Sequence, residues 1–174
     1  MVRRIAFFCA LACWCAVAAG AALAQQPAMP PPAPMPPYGP PITLDQAKRV
    51  MAAAELEAAK NSWQVAITIL DSGGNLVMFH KGDNAQLSAI TTSEGKARTA
   101  LEFKMPSKAL DDAIAAGGAG MRLLALKNIT PLQGGVLVLI DGKILGAIGV
   151  SGALSAQDDQ IANAGVAALA RSGM

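Results

Sequence analysis

His80 is the one histidine of this 174-residue chain, and Met78 stands two residues before it. Imidazole is the commonest metal-ligating side chain and a thioether is a softer one. The bland alternative is a strand-end histidine that touches solvent or a neighbouring subunit. On a strand, His80 and Met78 would share a face about 7 Å apart. They would then point the same way and make a poor pair of opposed ligands, unless one of them pairs across subunits. Lys96 and Arg98, in "EGKARTA", are the cations best placed to meet a carboxylate. Two residues apart on a helix they diverge by about 200°, so only one faces a given ligand, and a solvated helix face is the plainer reading. Glu55 and Glu57 read as surface charges. Asp111-Asp112 and Asp158-Asp159 are adjacent and diverge by about 100° on a helix, so neither is a catalytic pair. "GVSG" lacks the spacing of a nucleophile elbow. Acid–base or nucleophilic catalysis finds little support here.

The glycines of "GAIGVSGALSAQDDQ" raise a different chemistry, phosphate held at a strand-to-helix turn. Gly146, Gly149 and Gly152 have neither the dinucleotide nor the P-loop spacing. Their expected role is close approach: Gly146 and Gly149 let a helix or a ligand lie near the strand, and Gly152 makes the turn.

The elements that must position these residues follow from periodicity. Thr43-Leu-Asp-Gln46 is a capping box opening a helix to about Asn61. "WQVAITILD" and "LVMFHK" flank the turn cluster Asp71–Asn75 and read as a hairpin. Ser88 to about Glu102 is a second helix, broken by Pro106, and "SKALDDAIAA" a third. Gly117–Gly120 is a loop, with one further helical turn at "MRLLAL". Asp141-Gly142 between two apolar runs is a strong hairpin signal. Ser155-Ala-Gln-Asp158 is a second capping box, opening a last helix to about Arg171. Hairpins between helices imply an α+β fold, an antiparallel sheet of four to five strands flanked by helices. The strands are apolar on both faces, so helices or another subunit must cover both sides.

Residues 1–24 read as a secretory signal peptide: Arg3 and Arg4, an apolar run, and Ala22-Leu23-Ala24 before Gln25. A transmembrane anchor is the alternative. The Ala-x-Ala end favours cleavage, leaving no membrane anchor and a periplasmic or secreted protein. Cys9, Cys13 and Cys15 would leave with the leader, removing disulfides and thiolate chemistry. Without Arg3 and Arg4, 12 of the 14 basic residues remain against 12 acidic ones. Aromatics after the leader are only Tyr38, Trp63, Phe79 and Phe103. A neutral, aromatic-poor chain is not built for nucleic acid. Residues 25–41 hold nine of the eleven prolines and read as an extended, exposed linker. Its two methionines are too sparse for a soft-metal site. Residues 42–174 then form one domain.

"ITLDQAKRVMAAAELEAAK", "VAITILDSGGNLV", "EGKARTA" and "GGVLVLIDGKILGAIGVSGALSAQDDQIANAGVAAL" together resemble the GlcG/HbpS haem-binding family, which is also the C-terminal domain of PduO-type proteins. Leu137 stands where the family usually has proline, and Ala153-Leu-Ser-Ala-Gln-Asp158 stands where it usually has a glycine-rich turn followed by Glu-Gln-Asp. The resemblance implies a profilin-like fold, a homo-oligomer and a bound haem. With haem as the expected ligand, imidazole chemistry rather than the family's own ligand, which differs between members, makes His80 the leading iron-ligand candidate, with Met78 a second one across subunits and Lys96 or Arg98 the partner of a propionate. Gly149 and Gly152 become the places where backbone approaches the ligand. Capture, storage or sensing of haem is the implied function. The alternatives are a pocket for a small organic acid, an assembly module without catalysis, or weak haem degradation.

Overall fold

A computed structural model describes residues 34–170. The expected leader, its cysteines and the first part of the proline segment lie outside the described residues. Helix α1 (Leu44–Lys60) starts at the capping box foreseen: the Thr43 hydroxyl accepts from the Gln46 amide at 3.2 Å, and Gln46 Oε1 accepts from Thr43 N at 2.9 Å. Strands β1 (Ala66–Asp71) and β2 (Leu76–Lys81) form the first hairpin. The Asp71 carboxylate organises its turn, accepting from the amides of Gly73 at 2.8 Å and Asn75 at 2.9 Å. Helices α2 (Ser88–Phe103) and α3 (Ser107–Ala115) follow, then a 3-10 helix over Gly118–Ala125. Strands β3 (Gly135–Ile140) and β4 (Lys143–Ser151) turn at Asp141-Gly142, whose φ values of 50° and 71° are those of a type I′ hairpin. Helix α4 (Ser155–Ala170) closes the fold.

The four strands are antiparallel in the order β2-β1-β4-β3, an α+β sheet flanked by helices as expected. Alternation along the strands sorts the core into two layers. Ile67, Ile69, Val138, Ile148 and Val150 pack with Val50, Met51 and Ala54 of α1 and Ile161 and Ala162 of α4. Leu70, Leu137, Ile144 and Ala147 pack with Ala97, Ala100 and Leu101 of α2. Helices thus cover both apolar faces within one chain, while the edge strand β2 stays partly open.

Two local expectations differ from the structure. The end of the proline segment is extended and mostly exposed, but it is not a free spacer. Ile144 N donates to Pro37 O at 2.9 Å, Gly39 N to Ile144 O at 2.8 Å, and Ile42 N to Leu145 O at 2.8 Å. Tyr38 Oη adds a bond to Leu101 O at 2.9 Å. These residues take the free side of β4 beyond the end of β1. The second capping box also shifts. Helix α4 starts at Ser155, so it is Gln157 that reaches back to Leu154 N (3.0 Å), while Asp158 accepts from Ala153 N (3.0 Å).

Candidate functional site

Strand β2 pairs with β1 only, so its residues sit at the sheet edge. His80 lies opposite Ile67 and Met78 opposite Ile69, which turns both toward the α1 layer. Glu55 of α1 meets His80 there: the imidazole Nδ1 is hydrogen-bonded to Glu55 Oε1. With Nδ1 on the carboxylate, Nε2 points away from it. Among the described residues Nε2 has no hydrogen-bond partner, and the side chain is 49% exposed. A carboxylate behind an imidazole fixes the orientation of the ring as a metal ligand. Met78 is half-buried against the core, so the sulfur does not share the exposure of His80.

Lys96 is not on a solvated face. It is 1% exposed, and its Nζ donates to Asp158 Oδ2 at 2.7 Å and to Val150 O at 2.9 Å. The ammonium is therefore used inside the fold and cannot reach a propionate. Burial pushes the Asp158 carboxyl up from its ordinary range, against the opposing pull of Lys96 and the Ala153 amide. The pair joins α2 to α4, which lie on opposite faces of the sheet. Gly134 makes the passage, since a Cβ there would stand 2.9 Å from Asp158 Cβ and 3.3 Å from Lys96 Nζ. A signal for this pair exists in the sequence. Ala89, Ser93, Ala97 and Ala100 form the small-residue stripe of α2 at helical spacing, and Lys96 falls on that stripe. Arg98 is half-exposed, pairs with Glu94 at 3.0 Å and leans on Gly74 O at 3.4 Å.

The glycines also separate. A Cβ on Gly149 would stand 2.0 Å from Ser93 O and 2.6 Å from Ala97 N. The helix α2 backbone fills that space, so no ligand lies there. Gly152 has φ +133° and makes the turn into α4. It also borders an open cleft of about 570 Å³ beside Trp63 and Gln157. The expected residues thus fall at four places: His80 and Met78 at the edge, Lys96 in the core, Arg98 over the first hairpin turn, and Gly152 at the cleft. Among the described residues no group of three or more His, Cys, Asp or Glu side chains is placed to hold a metal ion. No described helix is long and apolar enough to cross a membrane. A single imidazole is the kind of protein ligand that haem iron takes, since the porphyrin supplies the ring nitrogens itself.

The model of a family described as haem-degrading protein, HbpS-like, matches residues 42–167. The chain belongs to this family. Within it, the chain is 38% identical over 110 residues to protein GlcG of Escherichia coli K12, covering 63% of this chain and 81% of GlcG. The HbpS-like fold is shared with a crystal structure of HbpS, at a TM-score of 0.69 and 30% identity over 76% of this chain and 92% of that one. A crystal structure of a PduOC:haem complex superposes with a TM-score of 0.68 and 25% identity, covering 74% and 94%. The resemblance read from the sequence is therefore confirmed, as is the antiparallel α+β architecture.

Proposed function

We propose that this HbpS-like protein binds haem for capture, storage or sensing, and that it does so after export directed by residues 1–24. The observation that carries the reading is the Glu55–His80 pair on an exposed edge strand, in a chain of the HbpS-like family whose fold is shared by the PduOC:haem complex. His80 Nε2 would ligate the haem iron, and Glu55 would hold the ring in place through Nδ1. Bound haem brings the iron chemistry. Lys96 is buried on Asp158, and Arg98 stands over the first hairpin turn on the α2 side of the sheet, so neither is assigned to a propionate beside His80. The β2 edge offers one wall only, so a second copy of the chain supplies the other, which makes the functional unit a homo-oligomer.

Haemin titrated into the purified protein, followed by its Soret band, tests the proposal. Saturable binding that is lost in His80→Ala is the expected result. Binding retained in that variant removes His80 as the ligand, and no saturable binding by either form removes the haem reading. Product analysis under a reductant shows whether the bound haem is also degraded. The N-terminal residue of protein recovered outside the cytoplasm is expected to be Gln25.

A further inference from the structure

The cleft at Gly152 is lined by neither His80 nor Glu55 and has a chemistry of its own. It opens at the junction of the α1–β1 connection, the loop after β2, and the turn into α4. Trp63 forms one wall, and its position is fixed by the way α1 ends. Ser62 takes the left-handed φ of 58°. Trp63 N then donates to Ala58 O at 3.0 Å and Ser62 N to Ala59 O at 3.1 Å, a Schellman closure. One side of the indole packs on the core and the rest is left to the cleft.

Carboxamides surround it. Gln64, Asn84, Gln86 and Gln157 all line the cleft. Among the described residues the side chains of Gln64, Asn84 and Gln86, and the indole N–H, make no hydrogen bond. Gln157 uses its Oε1 on Leu154 N, and its amide nitrogen has no partner among the described residues. No charged side chain lines the cleft. The nearby Asp158 carboxylate is buried on Lys96. A charged ligand would therefore lose its hydration without gaining a counter-charge.

We propose that this cleft binds a neutral saccharide. Each carboxamide offers a donor and an acceptor in one plane. A sugar hydroxyl also donates and accepts, so neighbouring hydroxyls match one carboxamide. The indole gives the apolar C–H face of a pyranose a flat surface to stack on. The volume of about 570 Å³ lies within the range of small-molecule sites, about 300–1,000 Å³, and accommodates one or two rings. This site is independent of the iron ligand, and its failure leaves the haem reading untouched.

The test titrates glucose, N-acetylglucosamine, cellobiose and chitobiose into the purified protein, with calorimetry and the Trp63 indole N–H resonance as readouts. Adenosine is the planar, non-saccharide control. Saturable binding of at least one sugar with a Kd on the order of 1 mM or tighter, weakened about tenfold or more by Gln86→Ala and by Asn84→Ala, is expected. Both of these residues are exposed, so the two variants fold even if Trp63→Ala does not. Haemin binding stays unchanged in them. No saturable sugar binding overturns the proposal, as does sugar binding that both variants retain. A response to adenosine alone refutes the ligand class, and loss of haemin binding in Gln86→Ala makes the cleft part of the haem site instead.

Discussion

Replacing Lys96 by methionine keeps most of the side-chain volume and removes the ammonium from a site that is 1% exposed. Asp158 would be left buried with no opposite charge, and Val150 O would lose its 2.9 Å donor. Breaking one side of a buried pair costs about 3–5 kcal/mol. For a domain of this size that is a fall in Tm of roughly 10–15 °C. The pH dependence has a definite sign. Burial already lifts the Asp158 carboxyl and Lys96 opposes the lift, so without Lys96 it rises further. A carboxyl whose folded pKa lies above its unfolded value favours the fold below the unfolded pKa, and loses that contribution as pH rises through the folded one. The gap between wild type and variant is therefore widest at neutral pH and narrows on acidification. Urea unfolding at pH 7 and near pH 4 measures it. The double variant Lys96→Met/Asp158→Asn retains an acceptor for Ala153 N and recovers much of the loss, giving a coupling of about 2 kcal/mol or more. A Lys96→Met cost below about 1 kcal/mol, equal at both pH values, would refute this reasoning.

Two further outcomes follow from backbone geometry. Gly149→Ala forces a Cβ to within 2.0 Å of Ser93 O, so α2 must shift from the sheet, and thermal unfolding should show a loss of about 2–3 kcal/mol. Ser62→Gly should do the opposite. The left-handed φ of 58° costs a non-glycine residue about 1 kcal/mol, so the variant should gain roughly 0.5–1 kcal/mol in denaturant unfolding; no gain would mean that Ser62 is unstrained.

The regular elements were legible because each rests on a local cause. Thr43 and Gln46 meet within one helical turn, Asp141-Gly142 supplies the two positive φ values of its hairpin, and Pro106 separates α2 from α3. Family membership was legible for a related reason: the glycines and the Gln-Asp-Asp run are set by backbone contacts that allow few substitutes. The α4 cap moved by one residue because Asp158 is drawn inward by Lys96, a partner 62 residues away.

Sequence alone determined the α+β class, the two hairpins, the capping of α1 and the family. These follow from spacing, turn chemistry and residue type, which act over a few positions along the chain. Tertiary structure decided what the polar residues do. It buried Lys96 on Asp158, set Glu55 behind His80, gave the space at Gly149 to a helix, and joined Trp63 and Gln64 to carboxamides from two distant segments, Asn84–Gln86 and Gln157. Those outcomes depend on which faces of separate elements meet, and such meetings are fixed by packing across the whole sheet rather than by any local pattern.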